Sequence, residues 1–361
     1  MYDVIIVGCG VAGGYLASQL RGLDVLVLEK DNNVILKDSG LVSSHFRQFF
    51  PKRLIKSKIK EMRAVSPSGI TFTLGSEKPF AYILKRKGFS RHLRSISRKN
   101  ADVKYESVKK VTYSDDCVSV VTSGGEYKSK LVIGCDGTFS IVRRTLGIKL
   151  PGMHPGIFVR TKKNLQHKVI DVYFNKYFSP EFFSWVIPQI NEYGIITSVS
   201  PMESLDYFKR KINLPEGSIY SSFIPVGYCK SYAFRTLLIG DACGHVKPLT
   251  GGGIMFSLRA ARHAAAAIKS AVGHERYDAT FLSGYEHNWK SEISKEIKLQ
   301  LVVRRVYKKF TNRNIDNLFV KFGYDISKIE YFDYDKLSTL AWGVSKIELL
   351  KYFLPRLGLF F

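Results

Sequence analysis

The chain opens on an unbroken apolar run, Tyr2–Val7 (YDVIIV), followed by Gly8-Cys9-Gly10-Val11-Ala12-Gly13-Gly14. A helical stretch over 15–21 comes next, then a second apolar run, Val25-Leu26-Val27-Leu28, which stops at Glu29. Continuous rather than alternating apolar runs mark strands covered on both faces, so the pattern predicts β–α–β with parallel strands. Residues 40–100 are basic and mixed. Around 103–121 the pattern alternates, predicting antiparallel strands with a turn at Ser123-Gly124-Gly125. Residues 130–135 (KLVIGC) form another buried strand that ends in Asp136-Gly137. From about 151 to 225 aromatics and prolines thicken and alternation dominates, which predicts a mainly β unit. An apolar strand returns at 236–240 and ends at Asp241 before a glycine-rich loop. An alanine-rich helix is expected over 254–271. The region from about 285 onward reads as helical and basic, with Trp289, Ile293, Ile297 and Leu301 at i, i+4 spacing. No internal repeat or low-complexity tract interrupts this order.

Composition adds mainly a charge. The chain has 361 residues, 45% hydrophobic and 24% charged, which excludes disordered and fibrous classes. Its 55 Lys+Arg against 31 Asp+Glu leave a net +24, a field that attracts nucleic acid, anionic lipid head groups or phosphorylated substrates. Cys9, Cys117, Cys135, Cys229 and Cys243 show neither CxxC nor metal-ligand spacing. No metal site is expected, and a reducing, cytoplasmic setting fits. The apolar start carries Asp3 and no basic lead, unlike a secretory leader. No stretch reaches the ~18 apolar residues of a spanning helix.

The chemistry sits in the glycine loops. Gly8-x-Gly10-x-x-Gly13 lies between a strand and a helix, so the backbone turns tightly and approaches a pyrophosphate at the helix N-terminus. Glu29, at the end of the next strand, is placed to accept hydrogen bonds from ribose hydroxyls. These features alone leave NAD and FAD both open. The second loop favours FAD. Asp241 ends an apolar strand and is placed to bind a ribityl hydroxyl, and Gly251-Gly252-Gly253 opens a helix whose free N–H groups suit the electron-rich pyrimidine edge of a flavin.

Three further segments carry a family resemblance. Val132-Ile133-Gly134-Cys135-Asp136-Gly137-Thr138-Phe139-Ser140-Ile141-Val142-Arg143 resembles the "GADGxxSxVR" element of FAD-dependent hydroxylases and their relatives. Gly240-Asp241-Ala242-Cys243-Gly244-His245 through Pro248 to Gly253 resembles their "GDAAHxxxPxxGxG" element. Arg86-x-x-Phe89-Ser90-x-x-Leu93 is similar to their "RxxFDxxL", with Ser90 where Asp is usual. Within this superfamily, Pro180-Glu181-Phe182-Phe183-Ser184-Trp185-Val186-Ile187-Pro188 resembles the "PxxYxWxFP" element of geranylgeranyl reductases, which saturate isoprenoid double bonds, including those of archaeal ether phospholipids. Phe183 and Ile187 depart from it, and Phe-x-Trp-x-Ile-Pro is also similar to the "WxWxIP" element of flavin halogenases. Halogenases need a catalytic lysine in a segment that this chain does not match. A cysteine-glycine pair typical of the reductases is absent; its segment aligns with Gly40-Leu41, which sets Lys37 at the cysteine position.

The resemblance implies an α/β fold: a Rossmann-like FAD-binding domain (1–150 and 226–285), an inserted mainly antiparallel β substrate domain (151–225) and a helical, basic C-terminal region (286–361). It implies cofactor contacts at Gly8, Gly10, Ala12, Gly13, Glu29, Lys37, Asp38, Gly40, Arg86, Val111, Asp136, Asp241, Gly252, Gly253 and Ile254. Phe182, Phe183, Trp185 and Pro188 are expected to bind an apolar prenyl substrate, and His245 is expected to be structural. No proton donor stands out. The expected reaction is reduction of prenyl C=C bonds by hydride from reduced flavin plus a proton, with NAD(P)H or reduced ferredoxin as external donor. The alternative is an FAD-dependent monooxygenase or halogenase acting on an apolar or aromatic substrate. No nucleic-acid-binding motif is present, so the charge is expected to serve anionic lipid. The apolar and basic tail over 346–361 either packs on the body or lies in a bilayer interface, which would place the enzyme peripherally on the cytoplasmic face of the membrane.

Overall fold

A computed structural model describes residues 1–34 and 36–343; the tail over 346–361 lies outside the described residues. Seven helices are described: α1 (Val11–Gln19), α2 (Arg86–Ser97), α3 (Ile141–Thr145), α4 (Pro201–Lys211), α5 (Ile254–Gly273), α6 (Ala279–Lys308) and α7 (Asn312–Ser327).

The continuous apolar runs become the centre of an eight-stranded sheet. Five strands run parallel in the order Thr236–Leu238, Glu126–Gly134, Tyr2–Val7, Val25–Leu28 and Asp102–Lys104. Every residue of Val25–Leu28 is buried, as are the last four of Tyr2–Val7. The alternating stretch forms antiparallel strands Val108–Tyr113 and Val118–Thr122, the second turning back into Glu126–Gly134. α1 packs against α2 and α5, and Gly14 allows this approach, since a Cβ there would lie 3.2 Å from Leu93 Cβ. The helix expected at 15–21 starts earlier, at Val11, directly out of the glycine turn.

The aromatic, proline-rich region forms most of a seven-stranded sheet, ordered Ser218–Pro225, Met153–Arg160, Glu192–Ile196, Ser184–Ile187, Ile170–Tyr173, Glu61–Val65 and Thr71–Gly75. Its last two strands come from the basic, mixed stretch, and Glu61–Val65 runs parallel to Ile170–Tyr173. Pleating splits this sheet between two cores. Tyr193, Ile195 and Val186 face Leu205 and Phe208 of α4. Trp185 and Ile196, at the alternate positions, pack with Phe182, Val226 and Ile224 on the other side. Gly251 meets that second face, because a Cβ there would lie 3.2 Å from Ile196 Cδ1 and 3.1 Å from Ile224 Cδ1. The β unit therefore lies against the second glycine loop.

Leu41–Ser43, Ala81–Leu84 and Ile55–Ile59 form a small antiparallel sheet between the two larger ones. α6 begins at Asp278, whose carboxylate accepts the Phe281 N–H, and buries Leu282, Tyr285, Trp289, Ile293 and Ile297 along one stripe. Among the described residues no helix is long and apolar enough to cross a membrane.

Candidate cofactor site

The first glycine loop has the shape its sequence requires. Gly8 sits at φ +95°, and a Cβ on Gly13 would fall 1.9 Å from the Gly8 carbonyl oxygen, so neither position accepts a side chain. Gly10 is different: nothing lies within 4 Å of its would-be Cβ, which leaves its outer side open. Gly10 also caps α1 without a side-chain hydrogen bond, and the first turn holds no acidic residue, so the first N–H groups of the helix are left for an anion. Glu29 is fixed at the mouth of this loop. Its Oε2 accepts the Cys9 N–H at 2.8 Å and its Oε1 accepts the Asp31 N–H at 3.0 Å, which leaves further acceptor capacity on both oxygens. Ala12 touches the second loop, as a Cβ on Gly240 would be 3.2 Å from Ala12 Cβ.

Arg86, Asp38 and Gly40 form one unit. The Arg86 guanidinium donates to both Asp38 oxygens, at 2.6 and 2.7 Å, and Asp38 Oδ1 also accepts the Gly40 N–H at 2.8 Å. Gly40 stands at φ +73°, and a Cβ there would lie 2.5 Å from Arg86 Cγ. The same guanidinium donates to Ser90 Oγ at 3.2 Å, so the serine that replaces the usual aspartate still serves Arg86 as an acceptor. Across the site, Arg160 of the seven-stranded sheet donates to the Asp38 carbonyl at 3.0 Å.

Asp241 is half-buried beside this unit. Burial pushes its carboxyl up to about 6; the Asp38 charge adds to that and Lys37 opposes it. None of the hydrogen bonds among the described residues reaches its carboxylate, although a Cβ on Gly253 would approach Oδ1 to 3.2 Å. A half-buried carboxylate with no protein donor has free acceptor capacity for a hydroxyl from a ligand. Gly253 then caps α5 with no side-chain bond and no acidic residue in the first turn, so the helix presents free N–H groups from Ile254 onward. Gly252 lies over the Lys247 side chain, with 2.9 Å between its would-be Cβ and Lys247 Cε.

Other expected positions stand further back. Asp136 caps α3 through Oδ2, which accepts the Ile141 N–H at 2.7 Å, while Oδ1 is buried with no partner. Burial raises its carboxyl against the opposing hydrogen bonds of Ser140, Ile141 and Val142. Val111 is buried in an edge strand, Val108–Tyr113, whose outer side pairs with no other strand. His245 accepts the Gly240 N–H through Nδ1 at 3.1 Å and packs edge-on against Trp289 at 4.5 Å. Burial pulls it down to about 3, so it is a neutral structural acceptor.

Three of the four substrate positions meet at Trp185, which packs with Phe182 and lies edge-on to Phe183 with ring centroids 6.4 Å apart. Phe182 is 1% exposed and sits under the Arg304 guanidinium and beside His154. Phe183 tilts toward Phe174, and Pro188 opens a short 3₁₀ turn. Trp185 lies on the sheet face that meets Gly251, with Nε1 3.4 Å from Glu192 Oε1. Glu192 is fully buried and paired with Arg160 at 3.0 Å; burial lifts it to about 7 despite that cation.

Sequence reading missed an ionic knot beneath the second loop. Asp335 is 0% exposed and binds Lys247 Nζ at 3.3 Å, Arg259 Nη2 at 3.0 Å and Ser43 Oγ at 2.6 Å. Lys247 lies inside a recognised segment, but no periodicity marks Asp335 as its partner.

These residues fit FAD. Two helix N-termini, an acceptor at Glu29, an unpartnered, half-buried carboxylate at Asp241 and glycines whose Cβ atoms would collide with their surroundings suit a pyrophosphate, a ribose, a ribityl chain and a flavin ring. No protein-family model matches the chain. It is 28% identical over 353 residues to digeranylgeranylglycerophospholipid reductase 2 of Methanococcoides burtonii, covering 88% of this chain and 87% of that one. It is 27% identical to the reductase of the same name from Methanothermobacter thermautotrophicus, over 91% and 94% of the two chains. Among solved structures, a geranylgeranyl bacteriochlorophyll reductase-like protein from Thermoplasma acidophilum superposes with a TM-score of 0.86 at 21% identity, over 98% of this chain and 99% of that one. Halogenase PltM, solved as a mutant in complex with FAD, gives a TM-score of 0.65 at 17% identity, over 90% and 80%. Along most of its length the chain is thus similar to digeranylgeranylglycerophospholipid reductases, and its fold is shared by a geranylgeranyl reductase-like protein and by flavin halogenases.

Proposed function

We propose that the protein is an FAD-dependent reductase that saturates isoprenoid C=C bonds in prenyl ether lipids of the digeranylgeranylglycerophospholipid type. The observation that carries this reading is the 28% identity, along 88% of the chain, to a reductase of that name. Bound FAD, once reduced, would supply the hydride for such a reaction, and a proton would be added to the other carbon of the double bond. The protein's own residues hold and orient the cofactor. The α1 N-terminus would hold the pyrophosphate, Glu29 the adenosine ribose and Asp241 the ribityl chain, while the positive end of α5 would stabilise negative charge on the ring. An isolated alkene offers no polar handle, so catalysis rests on close positioning in a site that excludes water. The sheet face bearing Trp185, Ile196 and Ile224, set against Gly251, supplies apolar cover.

An external donor, NAD(P)H or reduced ferredoxin, recharges the cofactor. The lipid substrate and the net charge of +24 support a peripheral position on an anionic, cytoplasmic membrane face. Mass spectrometry of lipids bound to the purified protein, read with its visible spectrum, tests this proposal. A yellow protein carrying partially saturated prenyl ether lipid is the expected result. A yellow protein without lipid that oxidises NADPH only with an aromatic substrate and O₂ would replace it with the monooxygenase or halogenase reading.

A further inference from the structure

A second polar cleft, of about 670 Å³, lies on the outer side of the loop that follows Glu29. One wall is residues 32–34 and the other is α2 with the capping residue that follows it, which together contribute Lys87, Arg91, Arg94 and Arg98. These four cations follow one another at helical spacings of four, three and four. Among the described residues no carboxylate lines the cleft.

Half of the cleft is already organised. The Arg94 guanidinium donates to the carbonyls of Asp31, at 2.8 Å, of Asn33, at 3.2 Å, and of Asn32, which fixes the loop to the helix. Arg98 donates to Tyr105 Oη at 2.9 Å, and both guanidinium groups lie over the Tyr105 ring, at 5.5 and 5.7 Å. Lys87 and Arg91 are exposed and make no hydrogen bond or ion pair among the described residues. Like charges four apart on a helix repel, and a cation in the first turn opposes the helix dipole, so Lys87 is placed against the stability of α2. An anion in the cleft relieves both penalties.

The lining indicates which anion. A lysine point charge beside arginine forks suits a phosphate monoester. The cations extend along the helix by about 16 Å, room for more than one phosphate. A concave cleft of this volume with an aromatic ring in its wall fits a small ligand better than a flat protein surface. The cleft also shares a wall with the cofactor site: Asp31, whose carbonyl Arg94 holds, donates its N–H to Glu29.

We propose that this cleft is a second nucleotide site, which takes the phosphate-bearing adenosine end of a reduced dinucleotide donor carrying a 2′-phosphate. The proposal rests on the reductase reading, because such an enzyme needs an outside reductant. Calorimetric titration of the FAD-loaded protein with adenosine 2′,5′-bisphosphate, NADPH and NADH tests it. The bisphosphate and NADPH should bind, and NADH should bind at least about tenfold more weakly. In the Lys87→Ala/Arg91→Ala variant, affinity for the bisphosphate should fall about 10- to 100-fold at unchanged flavin content. Equal affinity for NADPH and NADH, or no loss in the variant, would overturn the proposal. So would binding to the apoprotein that FAD abolishes, which would make the cleft part of the flavin's own adenosine site. So would a variant whose only defect is toward an acidic ferredoxin. Dithionite-reduced wild type given prenyl lipid without O₂ tests the reductase reading separately. Failure there alongside retained bisphosphate binding removes that reading, and success there alongside absent binding removes only the cleft.

Discussion

Replacing Asp335 with alanine puts the ionic knot to the test. Its carboxylate is fully buried and serves Lys247, Arg259 and Ser43 together, which joins the C-terminal segment to the second glycine loop, α5 and the strand Leu41–Ser43. Lys247 and Arg259 are 4% and 8% exposed. Removing the anion leaves the Lys247 ammonium with the Tyr334 carbonyl and ring and no anion among the described residues, and leaves Arg259 with Glu292 at 3.7 Å. Breaking a buried pair by deleting one partner costs about 3–5 kcal/mol. At roughly 2.1 cal/mol/K per residue, cooperative unfolding of this chain carries about 0.76 kcal/mol/K, so the expected fall in Tm is about 4–7 °C. Burial raises the Asp335 carboxyl, but Lys247, Arg259 and the Ser43 hydroxyl outweigh it and hold it below the usual range. Its contribution is therefore present above the unfolded pKa and is lost as pH falls through the folded one. Thermal unfolding at neutral and acid pH reads both effects: Asp335→Ala lowers Tm at pH 7, and the gap from wild type narrows in acid. Because Lys247 underlies Gly252, the variant also releases flavin more readily. A Tm within about 1 °C of wild type at pH 7 would refute the reasoning, since the stranded cations cost far more than that.

Three other outcomes follow from the same geometry. Gly13→Ala places a Cβ 1.9 Å from the Gly8 carbonyl oxygen and should yield colourless or unfolded protein; a normal flavin spectrum would show that the loop yields freely. Asp241→Ala should weaken FAD binding by at least about tenfold, the worth of one charge-assisted hydrogen bond. Because burial, aided by Asp38, sets Asp241 at about 6, wild-type affinity should fall as pH drops below 6 while the variant stays flat, and fluorescence titration of the apoprotein with FAD measures both. Glu192 is lifted to about 7 by burial against the Arg160 charge, so its contribution to stability is full below the unfolded pKa and is lost as pH rises toward 7. Urea unfolding between pH 5 and 8 should show that slope in wild type and not in Glu192→Gln; parallel curves would contradict it.

The parts of this molecule that were legible from sequence are those where local pattern and chemistry coincide. Tyr2–Val7 and Val25–Leu28 read as buried parallel strands because each is continuously apolar, and Gly8 and Gly13 read as a tight turn because no side chain fits there. Pairings distant in sequence were not legible. Glu61–Val65 (EMRAV) carries no local sign that it pairs with Ile170–Tyr173 more than a hundred residues on. Asp335 resembles any acidic residue until the fold sets it between Lys247 and Arg259. Residue type also says little about further partners: Phe182 and Phe183 both meet Trp185 of their own motif, yet the first also packs under Arg304 and the second against Phe174. Ser90 shows the converse, a departure from a motif that keeps its physical role as acceptor for Arg86.

The central claim is tested most directly by anaerobic turnover. Protein loaded with FAD and reduced with dithionite is mixed with a geranylgeranyl ether phospholipid in the absence of O₂, and the lipid mass is followed. The account predicts stepwise gains of two hydrogens per saturated bond. Unchanged lipid from protein whose flavin is fully reduced, with product appearing on an aromatic substrate only when O₂ is admitted, would contradict it.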